Sequence, residues 1–430
     1  MSAPALSSGS RHLRPGSAAA GSAAPIWVGQ IDGRGPIPAV SVDERFSAAR
    51  LLVTVDGVPV GQVDVPLSGG EAAAEVVQAA IHDQLGRPLD GCPSPLPRVT
   101  RPITVVIATR GRPQSLDRCV RGVLRSEHSE LRVLVVENDP QDDRTAAAVR
   151  RLADPRVAYV CERHRGASGA RNRGLTEAMA HGAEFVAFLD DDVEVDPTWA
   201  GRMVAALSEP GVAGVCGPVL AARLDTPAQL TAEQALGWQK GFARRRFSLA
   251  EPPPDSAVFP FSPGLFGVGA NLAVNAAVAG GLGGFDAALG PGTSARGGED
   301  CEFMIRLVLA GYVLSYEPSA YVWHHHRPSY EELDEQLHGY AVGLGGLLTK
   351  IMVDPVGRSA ALRRVPAALR RLRQIQSREA AADVPGASRL GRLRALASGP
   401  PAYLRARRAV RRKGGLTPPL LSPGGRSVRP

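Results

Sequence analysis

The feature that most constrains this chain is a regular alternation of short apolar runs and helical segments between Ile103 and Val215. Ile103–Ala108, Arg132–Val136, Val157–Val160, Glu184–Leu189 and Val212–Val215 are short and rich in branched aliphatic residues. Ser115–Arg125, Thr145–Leu152 and Ala167–Ala180 lie between them and carry helical spacing. Asp196-Pro197 predicts a further helix start, with Asp as the N-cap and Pro in the first position. Strands alternating with helices give an α/β fold around a mainly parallel sheet. Such sheets bind ligands beyond the carboxyl ends of their strands, so chemistry is expected there.

The flanks have a different character. Residues 1–24 are rich in Ser, Ala and Gly and are expected to be disordered. Residues 25–90 read as a small α+β accessory unit. Two strands, Arg50–Val55 and Val58–Val65, flank the hairpin dipeptide Asp56-Gly57, and a helix over about Glu71–Leu85 follows. Residues 91–100 read as a Pro-rich linker, 101–350 as the main α/β domain, 351–413 as a basic helical extension and 414–430 as a loose tail. Gly264–Phe285 lacks a full charge before Asp286. Its glycines, with Asn271 and Asn275, make it a buried loop and short helix rather than a bilayer span.

Two acidic groups fall where chemistry is expected. Asp190-Asp191-Asp192 directly follows the strand Glu184–Leu189. Three adjacent carboxylates repel one another unless a cation sits among them, and Mg²⁺ or Mn²⁺ favours such oxygen ligands together with phosphate. Gly297-Gly298-Glu299-Asp300 precedes a helical pattern containing Phe303, Met304, Leu307 and Val308. There Asp300 could cap the helix or serve as a base that takes a hydroxyl proton. Trp323-His324-His325-His326 could ligate a metal or form a solvated loop. Arg171-Asn172, after Gly166-Ala167-Ser168-Gly169 at a helix start, suits a phosphate or a polar base.

The joint order and spacing of these segments resemble glycosyltransferase family 2, of the GT-A fold, over about Ile103–Gly345. Val105–Arg110 is similar to the family's opening strand and nucleotide-binding turn, and Val135–Asp139 to its second strand, with Glu137 where the family usually has Asp. Gly166–Gly174 resembles the third nucleotide segment, and Phe188–Asp192 the acidic metal motif. Gly283–Asp286, Gly290–Gly292 and Gly298–Asp300 resemble the acceptor loop and base motif, and Val322–His324 continues the pattern. The resemblance implies an inverting transfer from a nucleotide-sugar donor to a sugar or lipid-linked hydroxyl. Thr109, Arg110, Glu137, Asn138, Arg171 and Asp190 would hold the nucleotide. Asp192, Asp190 and His324 would hold a divalent cation, Mn²⁺ or Mg²⁺. Asp300 would be the general base beside Glu299, with Gly298, Asn271 and Trp323 on the acceptor side. The alternative is a degenerate, non-catalytic transferase domain that scaffolds through its basic tail.

Charge and cysteine usage narrow the setting. The net charge of +8 is unevenly spread: residues 358–430 hold 17 arginines and one lysine against Glu379 and Asp383. The basic character therefore belongs to the tail. Arg363–Arg373 places Leu362, Val365, Leu369 and Leu372 on roughly one face, with Pro366 in the first turn. The tail reads either as a solvated helical extension or as an amphipathic helix on anionic lipid. A nucleic-acid surface is disfavoured, because Tyr403 is its lone aromatic residue. Five scattered cysteines without C-x-x-C spacing fit a reducing compartment. With no apolar signal-peptide core near the start, a cytoplasmic protein, peripheral on the inner membrane face, is expected. No G-x-x-x-x-G-K-[ST] segment occurs, which disfavours a P-loop kinase.

Overall fold

The computed structural model describes residues 24–86, 95–254, 256–262, 264–382 and 388–420. The expectations for residues 1–23, for linker residues 91–94 including Cys92, and for residues 421–430 lie outside the described residues. The first unit comprises β1 (Ile26–Asp32), β2 (Val40–Ser41), β3 (Ala48–Val55), β4 (Val58–Pro66), β5 (Glu71–Ala72) and α1 (Ala74–Leu85). The hairpin falls at the anticipated dipeptide, where Asp56 and Gly57 both take positive φ, 53° and 72°, as the right-handed twist of paired strands requires. Beyond the two strands expected, β1 pairs parallel to β3. Glu71-Ala72 pairs with β2, so the helix begins at Ala74.

The main domain then runs β6 (Ile103–Thr109), α2 (Pro113–Leu124), β7 (Leu131–Asn138), α3 (Arg144–Leu152), β8 (Val157–Glu162), α4 (Ala167–Ala180) and β9 (Phe185–Asp190). It continues through β10 (Val193–Val195), α5 (Trp199–Leu207), β11 (Val212–Cys216), β12 (Val219–Ala221), α6 (Pro227–Leu236), β13 (Arg245–Phe247) and β14 (Asn271–Asn275). Next come α7 (Ala276–Gly281), α8 (Glu299–Leu309), β15 (Val313–Tyr316) and β16 (Val322–His324). The extension contains α9 (Tyr330–Val353), α10 (Pro355–Leu362), α11 (Val365–Ala381) and α12 (Arg389–Arg412).

The eight-stranded sheet has the order β13-β15-β11-β14-β9-β6-β7-β8. Neighbours among β9, β6, β7 and β8 are parallel, as are β11 and β15, whereas β14 runs antiparallel to β9 and β11. This is the mixed, mainly parallel α/β architecture expected of a GT-A domain. Alternate side chains of one strand enter opposite cores: Val106 packs with Phe188 and Phe285, while Val105 and Ile107 pack with Trp199 and Val204. Burial on both faces explains the near-continuous apolar runs.

Two local expectations are corrected. The helix after Asp196-Pro197 starts at Trp199 with Thr198 as N-cap. Asp196 instead accepts from the Thr198 N–H and O–H, closing a turn before the helix. The Gly-rich stretch 264–285 contains a strand, β14, inserted between β9 and β11. Asn271 begins it and saturates its amide on the Trp199 Nε1–H and the Pro218 and Ala320 carbonyls. Asparagine there closes the core at a strand end, fully buried with its amide turned to partners within the protein.

The extension is bound into the domain. At Gly345 and Gly399, α9 and α12 come so close that a Cβ on either would overlap the other's backbone. Lys350 on α9 bridges Asp286 and Glu302 at 2.7 Å each. Arg306 pairs with the same Glu302, and the Tyr403 hydroxyl of α12 donates to Asp286 at 3.1 Å. All of these side chains are buried. Among the described residues no helix is long and apolar enough to cross a membrane.

Candidate active site

Strand register gathers the acidic and polar candidates. β6 places Thr109 beside Glu137 of β7 and Ala108 beside Asp190 of β9, so three neighbouring carboxyl ends meet in one place. The Thr109 hydroxyl donates to Asp191 at 2.6 Å. Arg112, the residue before the first turn of α2, reaches Asp191 at 3.2 Å and Asp192 at 3.4 Å. Burial beside Asp192 pushes the Asp191 carboxyl up to about 6, against the pull of Arg112. Arg110 lies outside this group and pairs with Asp139 on the exposed rim at 2.8 Å.

The nucleotide candidates of β7 are engaged within the protein. Glu137 is buried and accepts a short hydrogen bond from the Tyr159 hydroxyl. Asn138 donates to the Glu162 and His164 carbonyls and accepts from the Gly166 N–H at 2.8 Å. It thereby fixes the loop that launches α4. From that helix's first turns, Arg171 reaches inward. Its guanidinium donates to Glu299 at 2.7 Å and to Asp190 at 2.8 Å, while its Nε is buried without a partner. Arg171 is 5% exposed, so one buried cation joins the two acidic motifs, Asp190 and Glu299, which have 108 residues between them in sequence.

Asp300, next to Glu299, accepts from the Gly269 N–H at 2.8 Å and remains partly exposed. Gly298 caps this helix with φ of 88°. Asp190, Glu299 and Asp300 thus place three carboxylates around one guanidinium. Burial, then the neighbouring Asp300, pushes Glu299 up to about 7, with Arg171 opposing. Burial would depress Arg171, but Asp190, Glu299 and Asp300 outweigh it and raise the guanidinium further.

The histidine segment reaches the site through a second sheet, in which β16 lies between β10 and β12. Val193 faces His324 in this register, which brings His324 Nε2 within 3.3 Å of Asp192 Oδ1. Burial would raise Asp192, but His324, Arg327 and Arg112 hold it well below the usual carboxylate range. His326 lies 2.9 Å from Glu233 and His325 2.7 Å from Glu194. Trp323, by strand alternation, faces away from His324 and packs with Leu52, Leu220 and Tyr321 against the first unit. That position removes Trp323 from the acceptor side.

Among the described residues no three His, Cys, Asp or Glu side chains converge on a common metal position. Asp192 and His324 face each other at 3.3 Å, and Asp190 turns to Arg171. A pair of this kind suits a cation that takes its remaining ligands from a diphosphate and water, as Mg²⁺ commonly does. Arg112 and Arg327 were not among the expected site residues. Arg112 was legible as the residue before the helix-starting Pro113, but nothing local marks its inward turn.

Residues 104–264 match the model for glycosyl transferase family 2. Those residues thus carry a glycosyl transferase family 2 domain. The chain is 30% identical over 234 residues to a pre-mycofactocin glycosyltransferase of Mycobacterium tuberculosis, covering 53% of this chain and 43% of the relative. A succinoglycan biosynthesis protein of Rhizobium meliloti is 34% identical over 103 residues, 24% of this chain and 28% of its own. The chain therefore spans less than half the length of these curated relatives. A solved mannosyltransferase from Pyrobaculum calidifontis, in complex with GDP-Man and Mn²⁺, aligns at 20% identity and a TM-score of 0.44, covering 76% of this chain and 90% of that one.

The Glu299 proton predicts a pH effect. A carboxyl raised in the folded state contributes stability that is full below its ordinary value of 4.5 and is lost as pH rises through about 7. Glu299→Gln should flatten the fall in urea midpoint between these pH values relative to wild type. Parallel pH profiles for the two proteins would contradict the assignment.

Proposed function

We propose that the chain transfers a sugar from a nucleotide-diphosphate sugar to an acceptor hydroxyl, with inversion at the anomeric carbon. The observation that supports this reading is Arg171 binding Asp190 and Glu299 at once, which brings the two acidic motifs together at the carboxyl end of the sheet. In this reading the nucleotide lies over the ends of β6, β7 and β9, near Thr109, Glu137 and Asp190. Since Asn138 is engaged by the backbone, it shapes the loop before α4 rather than contacting the base directly.

Asp192 and His324 are the residues that would hold a divalent cation, Mn²⁺ or Mg²⁺. When bound, such a cation supplies positive charge to the departing diphosphate. Arg112 and Arg327, already beside Asp192, add fixed charge there, and preorganised charge of this kind favours a transition state in which negative charge builds. Asp300 takes the acceptor hydroxyl proton as the oxygen attacks the face opposite the diphosphate. Its Gly269 hydrogen bond fixes the carboxylate, and Glu299, tied to Arg171, holds the helix terminus in place.

Removing the base should leave the donor site intact. Asp300→Asn is expected to keep nucleotide-sugar affinity in calorimetry and to lose about 100- to 10,000-fold in transfer rate. Turnover at the wild-type rate would sink the base assignment.

We also infer contact with an anionic membrane surface. Leu362, Val365 and Leu369 are exposed at 53%, 42% and 53%, with Arg363, Arg370 and Arg373 exposed among them. Apolar side chains set in a basic stripe suit the headgroup region. The full chain should sediment with phosphatidylglycerol vesicles and not with phosphatidylcholine vesicles. Equal recovery in the two pellets would rule this out.

A further inference from the structure

The extension does more than pack on the domain: it closes one wall of a second cleft. Ser256, Ser262, Gly264 and Leu265, from the loop before β14, form one side, and Arg370, Arg371 and Gln374 of α11 form the other. Lys240 and Arg245 complete it, around a volume of about 350 Å³. Every charged side chain among its described lining residues is basic. Arg370, Arg371 and Gln374 share one face of α11 with Ala367, following the i, i+3, i+4, i+7 spacing of a helix. Arg371 reaches Gln374 at 3.3 Å, yet its Nε is buried without a hydrogen-bond partner. A buried guanidinium N–H left unpaired is costly unless a ligand accepts from it.

The loop that lines the cleft also reaches the proposed base. From Gly264 in its floor the chain passes along the start of α8. Five residues beyond Gly264, the Gly269 N–H donates to Asp300 at 2.8 Å. A Cβ on Gly269 would lie 2.8 Å from the Asp300 Cβ, so loop and base are in direct contact. On the opposite face of α11, Val365 and Leu369 project into solvent.

We propose that this cleft binds a phosphate-type anion carried by the acceptor, and so orients the acceptor hydroxyl toward Asp300. This deepens the transferase reading and rests on it. Guanidinium forks paired with hydroxyls suit phosphate oxygens, and the volume admits a phosphate or diphosphate with part of the group that bears it. A lipid-linked phosphate is one source of such an anion. A water-soluble phosphorylated acceptor shares the same chemistry.

The test uses the full chain and two probes, inorganic phosphate and decyl phosphate below its micelle concentration, titrated by calorimetry. Wild type should bind decyl phosphate, and the double variant R370Q/R371Q should bind it about tenfold or more weakly, the loss that one charge-assisted hydrogen bond implies. R371K, which keeps the charge and loses the fork, should fall between them and guards against a folding defect in the double variant. Tighter binding of decyl phosphate than of inorganic phosphate indicates a lipid-linked source, and equal affinity a soluble one. The inference is overturned if the probes bind the double variant as tightly as wild type, or bind neither protein, whatever the donor does. Nucleotide-sugar titrations on the same samples keep the two readings apart: all three proteins should bind donor equally, and loss of donor binding by wild type would overturn the transferase reading instead.

Discussion

The site depends on one buried guanidinium. Arg171 is charged, almost wholly enclosed and shared by Asp190 and Glu299. Breaking a buried pair by removing one partner typically costs about 3–5 kcal/mol, because the charge left behind has no solvent. The same physics makes the arrangement directional. Without Arg171, two carboxylates from opposite ends of the domain would have no reason to approach each other. With it, the end of β9 and the start of α8 face one another across a fixed gap. The Phe188–Phe285–Phe303 contacts, with centroids 5.0 and 4.7 Å apart, hold the same two elements together below the polar layer.

A second buried network ties α8 to the C-terminal extension. Glu302 sits one turn below Glu299 on α8 and meets both Arg306 and Lys350, while Asp286 meets Lys350 and Tyr403. The loop that carries Asp286, α8, α9 and α12 are thereby locked to one another. The arginine-rich segment is therefore not an appendage: its first helices complete the domain's walls, and its surplus charge faces the cleft and the solvent. The first unit plays a comparable part on the other side. The Tyr321 hydroxyl meets both Gln30 of β1 and Asp196, and Trp323 packs beneath Leu52, behind the strand that presents His324.

Much of the fold was legible because its strands are buried on both faces. Runs such as Ile103–Ala108 admit no amphipathic reading, and Ala167–Ala180 was anticipated to the residue. The Asp190–Asp192 triplet and the Glu299-Asp300 pair were legible from their places at a strand end and a helix start. The partnerships between them were not. Arg171 looks like any arginine on a helix until α4 is laid against β7 and β6. Asn271 and Trp323 misled for related reasons: a polar or aromatic residue beside a site motif says nothing about which face it takes. The insertion of β14 between β9 and β11 turned Asn271 into the core, and strand alternation turned Trp323 away from His324.

The measurement that bears most directly on the central claim is thermal unfolding of the purified chain with nucleotide diphosphates and nucleotide-sugars, in Mn²⁺, Mg²⁺ or EDTA. A ligand that binds the folded state alone raises the midpoint by mass action. The account predicts stabilisation by donors carrying one base, larger with Mn²⁺ or Mg²⁺ than with EDTA. An unchanged midpoint with every donor, metal present, would contradict it.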